Sequence, residues 1–206
     1  MKERPIIFSA PMVRAIQDGS KTQTRRIIKT DTIPGIGPIF KGYDDSKDWI
    51  NYCPYGKPGD RLWVRETWGV CTKGADIMAG THWENPLYRA DADNYGLLCH
   101  DVDGAVYQDD ILWKPSIHMP RVASRITLEI TGIRLERLKD ISEEDVIAEG
   151  CIKFKFEDDY AYTFYKNDKT GHATHTGACR KLWESINGKG SWDLNPFVWV
   201  VKFKKV

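Results

Sequence analysis

The sequence predicts an α+β domain: one small, curved sheet of mixed polarity closed toward a barrel, with short helices packed at its ends and long loop insertions. Three observations lead there. The segments 5–8, 22–28, 61–66, 126–138 and 197–203 either alternate apolar and polar residues or run continuously apolar. These are the patterns of half-buried and fully buried strands. Short stretches around residues 10–18, 143–149 and 178–187 carry helix start and stop signals. Strands and helices alternate too irregularly for a doubly wound sheet, and the chain has no GxGxxG or Walker loop.

Each element follows from its residues. Pro5-Ile6-Ile7-Phe8 is a short strand. Ser9 is an N-cap and Pro11 sits in the first helical turn, where its missing N–H costs little. Met12, Val13 and Ile16 form the apolar side of that helix, which stops at Asp18-Gly19. Lys21 to Ile28 enters a strand. Side chains alternate in a strand, so Thr22, Thr24 and Arg26 are expected on one face, and Gln23 and Arg25 on the other. Lys57-Pro58-Gly59-Asp60 is a turn, and Arg61 to Trp68 reads as the next strand. Ile126, Leu128, Ile130, Ile133 and Leu135 mark a long, bulged strand from Arg125 to Leu138. Ser142 with Asp145 three residues later resembles a capping box, opening a helix that ends at Glu149-Gly150. Ala178 to Asn187 is a third helix stopped by Gly188. Phe197-Val198-Trp199-Val200-Val201-Lys202-Phe203 is the terminal strand. Residues 29–58, 69–115 and 151–172 read as irregular insertions into a single domain spanning 1–206, with a short strand near Leu87 to Ala90.

Composition narrows the function. The chain of 206 residues has a formal net charge of +1. The charge is uneven: residues 1–30 carry seven Lys/Arg against two Asp/Glu, and residues 31–118 carry eight against fourteen. A basic arm joined to an acidic middle excludes a general duplex-coating protein, which must neutralise many phosphates, and favours a local anion site. The five cysteines form no CxxC pair, which fits reduced thiols in a cytoplasmic protein. No apolar run reaches the length of a membrane span, so no membrane partner is expected. His172 and His175 lie near Cys179, but the other ligands of a zinc site are missing from the neighbourhood, and no metal or cofactor is expected.

Two groups carry chemistry. Gly19-Ser20-Lys21-Thr22-Gln23-Thr24-Arg25-Arg26 packs hydroxyls and fixed cations around a glycine turn and offers them to a polar or anionic ligand; a solvated basic hairpin fits the same residues. In the next strand Arg61, Trp63 and Arg65 share a face, with Leu62 and Val64 opposite. A tryptophan between arginines stacks a base and holds a phosphate, or covers a core edge with the arginines packed on it. Arg121 and Arg125, beside His118, form a further cationic group expected to line the same cleft.

The segment Gly19-x-Lys21-Thr22-x-Thr24-x-Arg26 after a short helix resembles the signature of ASCH domains, which have a PUA-like β-barrel. Gly59-Asp60 entering a strand, the long strand ending at Leu138, the helix from Ile141 to Gly150 and the final Val200-Val201-Lys202-Phe203 agree in chain order. The stretch from Cys53 to Trp68 is similar to the larger ASCH-type proteins of phages and prophages. The resemblance covers about half of the chain. It implies a closed PUA-like barrel. It also implies an amidohydrolase acting on N4-acetylcytidine-like nucleosides, with Lys21 as base, Thr24 as nucleophile and Glu149 as proton donor. Thr22, Arg26, Arg61, Trp63 and Arg65 are then the expected ligand-binding residues. The expected partner is a modified nucleoside or a short single-stranded RNA. A non-catalytic RNA- or nucleotide-binding module and a ribonuclease are the alternatives.

Overall fold

The structure, a computed structural model, describes residues 1–28, 47–71, 86–94, 111–164 and 171–206. Parts of all three expected insertions, 29–46, 72–85, 95–110 and 165–170, lie outside the described residues.

The five segments expected to share one sheet do so. β1 (Glu3–Ile7), β2 (Gln23–Ile27), β3 (Arg61–Arg65), β7 (Thr127–Arg137) and β10 (Phe197–Lys205) form a sheet of order β1-β3-β7-β10-β2. β1 and β3 are parallel, and every other pairing is antiparallel. β10 slips register at Lys202/Phe203 against β7, where Gly132 and Ile130 face it. The architecture is therefore α+β, dominated by sheet.

The expected closed barrel is not found. β1 and β2 are the two edges, and among the described residues no ladder joins them. Where a closed barrel would pair these edges backbone to backbone, the described residues show a side chain across the gap instead, Arg26 Nη2 donating to the Ile7 carbonyl at 2.5 Å.

β10 explains how the layers stack. Its apolar run is continuous because both faces are covered, as in a fully buried strand. Trp199, Val201 and Phe203 pack on Ile6, Phe8, Leu62, Leu128 and the helix α1 (Ala10–Gln17). Val198 and Val200 pack on the opposite side with Leu138, Val146, Trp183 and Trp192. Val146 belongs to α2 (Glu143–Ala148) and Trp183 to α3 (His175–Asn187). Ser142 caps α2 by accepting from the Asp145 N–H at 3.2 Å. α3 begins three residues before the expected Ala178, because Thr174 caps it and accepts from the Gly177 N–H at 3.0 Å. No described helix is long and apolar enough to cross a membrane.

The two regions expected to be loop-like contain more strands than the short one expected near Leu87 to Ala90, of which Leu87 and Tyr88 are strand. β4 (Trp68–Cys71), β5 (Leu87–Tyr88) and β6 (Ile111–Lys114) form a small antiparallel sheet with β4 in the centre. β8 (Ile152–Phe156) and β9 (Asp159–Thr163) form a hairpin whose turn places Glu157 at φ 55°. The alternation Ile152-Lys153-Phe154-Lys155-Phe156 is a strand pattern that the glycine-poor turn conceals.

Candidate functional site

The local fold positions Lys21 first. Gly19, at φ 81°, ends α1 in the left-handed region that suits glycine. The Lys21 N–H then donates to the Ala15 carbonyl at 2.9 Å, and the Thr22 N–H to the Ala148 carbonyl at 2.8 Å. Lys21 and Glu149 form an isolated antiparallel bridge, so the turn after α1 is tied to the end of α2. Gly150 permits the close approach: its φ is 90°, and a Cβ there would stand 3.0 Å from Ala15 Cβ and 3.3 Å from Lys21 Cβ.

The Lys21 side chain is 2% exposed. Its Nζ donates to the Glu149 carbonyl at 2.9 Å and lies 5.7 Å from the Phe8 ring centroid. Burial disfavours the ammonium and lowers its pKa to about 8, against a smaller upward pull from the Glu149 charge. An amine in that range exists partly as free base near neutral pH, as a general base requires.

Thr24 and Glu149 face a cavity of about 500 Å³ that opens at the seam between the two edge strands. Ile7 and Phe8 line it from the β1 side, Thr24, Arg25 and Arg26 from β2, and Leu182, Trp183 and Ile186 from α3. Thr24 is nearly buried opposite Val201, and its hydroxyl bonds none of the described residues. The gap that keeps the barrel open is thus the entrance to the site.

Glu149 is held from two directions. Its carbonyl takes Lys21, while its Oε1 accepts from Arg25 Nη1 at 2.5 Å. Arg25 is the centre of a buried ion network. Its Nη2 also pairs with Glu136 and, at 2.8 Å, with Asp145. Arg134 bridges the same two acids, its Nε to Glu136 at 2.8 Å and its Nη2 to Asp145 at 2.5 Å. Burial would lower the proton affinity of Arg25, but Glu149, Glu136 and Asp145 outweigh it and raise it. Burial likewise pushes Asp145 up, and Arg25 and Arg134 outweigh it and hold the carboxyl below its usual range. Sequence reasoning gave Arg25 no role. Its partners lie 111, 120 and 124 positions away, and no local pattern signals them.

Of the expected ligand-binding residues, only Arg26 lines the cavity. Its guanidinium lies 5.1 Å from the Phe8 centroid. Thr22 is exposed and precedes β2, with its backbone bound to Ala148 and Phe203. Arg61, Trp63 and Arg65 lie on β3, which β1 separates from the seam, and they do not border the cavity. Trp63 is 8% exposed, with Arg65 Cζ at 4.7 Å and Arg121 Cζ at 5.9 Å from its ring, an arrangement of packing. Arg121 pairs with Glu3 at 3.0 Å, and Arg125 binds Glu66 with two nitrogens and pairs with Asp91. Tyr55, Thr67 and Ser116 line the cavity without having been singled out, since they come from distant segments, and Cys179, weighed only as a metal ligand, lines it too. Burial pushes the Cys179 thiol up, so it is not a thiolate nucleophile at neutral pH.

Among the described residues no group of His, Cys, Asp and Glu side chains is arranged to hold a metal ion. No protein-family model matches the chain, and no curated protein or solved structure is significantly similar to it.

Proposed function

We propose that the chain is an amidohydrolase of the ASCH, PUA-like type that removes the acyl group from N4-acylated cytidine-like nucleosides. The observation that carries this reading is the convergence at the seam. Thr24 and Glu149 line one cavity, and Lys21, which does not itself line it, has its pKa lowered to about 8 and donates to the Glu149 carbonyl.

In this mechanism Thr24 Oγ1 adds to the acyl carbon while neutral Lys21 Nζ takes the hydroxyl proton. The tetrahedral adduct collapses, the C–N bond breaks, and the leaving N4 takes a proton from the Glu149 carboxylic acid. A water then adds to the Thr24 ester and returns a proton to Glu149. Lys21 returns its proton to Thr24 as the acid product leaves. Glu149 acts as donor only after its carboxyl has left Arg25 and gained a proton. Lys21, protonated in the first step, is the second donor at hand.

The test is product formation, followed by chromatography, from a panel of N4-acyl cytidines. Lys21→Ala and Thr24→Ala should each lower turnover by orders of magnitude without unfolding the protein. The double variant should lose little more, because residues acting as a unit are not additive. A Glu149→Gln variant with most of its activity would assign the donor role to Lys21. No hydrolysis across the panel, or a Thr24→Ala variant as fast as the parent, refutes the reading.

A further inference from the structure

Arg26 differs from its neighbours in one respect. Arg25 pairs with three carboxylates, and Arg125 with two. Arg26 pairs with no carboxylate among the described residues. Its Nη2 donates to the Ile7 carbonyl, and its Nε is buried with no acceptor. Arg26 is half-buried; taking a cation partly out of water without pairing it is unfavourable, and buried polar groups such as its Nε are normally satisfied. Burial accordingly lowers the proton affinity of Arg26, although a guanidinium still stays charged. This cation stands at the wall of a cavity that α1 and α3 line with apolar groups, including Met12, Leu182 and Ile186. Hydroxyls of Tyr55, Thr67 and Ser116 line the same cavity, and Tyr55 lies close enough to feel the Arg26 charge.

We infer that Arg26 is an anion site and that the ligand of this cavity carries a phosphoryl group, so that the substrate is an N4-acylated cytidine 5′-monophosphate in preference to the free nucleoside. The inference rests on the nucleoside reading of the cavity. A guanidinium matches a phosphate with two parallel N–H bonds, and the hydroxyls supply donors for the remaining oxygen. The ligand would then pair directly with the guanidinium, as no described carboxylate does. A carboxylate on the acyl group, or free phosphate, offers the same chemistry from another source.

The experiment is calorimetric titration of the full chain with cytidine, cytidine 5′-monophosphate, cytidine 3′-monophosphate, N4-succinylcytidine and inorganic phosphate at low salt. The 5′-monophosphate should bind at least about tenfold more tightly than cytidine. Arg26→Gln should remove that preference, so that the variant binds the 5′-monophosphate no more tightly than it binds cytidine. Arg26→Lys keeps a point charge without the fork, and should retain only part of the preference; it carries the test if the Gln variant does not fold. Equal binding of cytidine and its 5′-monophosphate, or a preference that survives in both variants, overturns the inference. So does inorganic phosphate or N4-succinylcytidine binding as tightly as the nucleotide, or a preference for the 3′-isomer. Because binding is read without turnover, a chain that fails to hydrolyse any N4-acyl cytidine can still show the preference. Hydrolysis of N4-acetylcytidine and its 5′-monophosphate with equal kcat/KM would remove this inference and leave the hydrolase reading standing.

Discussion

Replacing Lys21 by Met should change the way stability depends on pH, and the size of the change follows from the burial of the ammonium. The folded pKa is lowered from 10.5 to about 8, chiefly by burial. A lysine whose folded pKa lies below its unfolded value carries fewer protons in the folded state between those two values, so stability rises with pH across that window. The cost of burying the charge is fully present below pH 8 and is relieved as the pH approaches 10.5. At 1.36 kcal/mol per pKa unit, the cost at neutral pH is about 3 kcal/mol, of which about 2 kcal/mol is relieved between about pH 7 and 9.5. Lys21→Met removes the titration and also the hydrogen bond to the Glu149 carbonyl. The loss of that bond shifts the variant by a roughly constant amount and does not change its slope with pH. Urea unfolding of both proteins at several pH values measures the gap directly, and other titrating groups cancel in the difference. The parent should gain about 2 kcal/mol on the variant from about pH 7 to 9.5. Parallel curves would mean that Lys21 titrates at its ordinary value, and would remove the physical basis for treating it as a base. In the hydrolase, kcat/KM should rise through an acid limb near the same pKa of about 8.

Two further substitutions test the frame around the site. Arg25→Met removes the guanidinium that joins Glu136, Asp145 and Glu149, leaving Arg134 paired with the first two, and should destabilise the fold by about 3–5 kcal/mol at neutral pH. That penalty should shrink as the pH falls and the stranded carboxyls take up protons, which denaturant titrations at acid and neutral pH will show; a pH-independent loss contradicts the charge account. Gly150→Ala places a Cβ 3.0 Å from Ala15 Cβ at a φ of 90°, so it should cost about 1–3 kcal/mol in thermal unfolding.

Much of the frame was legible in the chain, and particular residues show why. The core strands carry their own pattern: Leu62 and Val64 in β3, Leu128 and Ile130 in β7, and the continuous run of β10 are all buried where alternation or continuity puts them. The caps were local too, since Ser142 and its partner Asp145 are three residues apart. The hairpin β8–β9 was legible in principle, from Ile152 alternating with lysines, but it fell within a stretch without the glycine that marks a tight turn. β4 and β6 are short and pair across 40 to 46 positions, so neither length nor local turn chemistry exposes them, whereas the strand at Leu87 was legible.

Local pattern was enough for the five strands of the main sheet, the three helices and the Lys21–Thr24 segment, because propensity, periodicity and capping act over a few residues. The tertiary structure alone decided three things. It left the sheet open between β1 and β2, so that a cavity stands where a closed barrel was expected. It turned Arg25 into the hub of an ion network and left Arg26 without a carboxylate partner among the described residues, although they are adjacent in the chain, because alternation sends them to opposite faces with different neighbours. And it placed Arg61, Trp63 and Arg65 behind β1, away from the cavity. Strand order depends on pairings between segments about 60 or more residues apart, and the site on side-chain contacts across more than a hundred, and no local pattern encodes which of the possible meetings the folded chain makes.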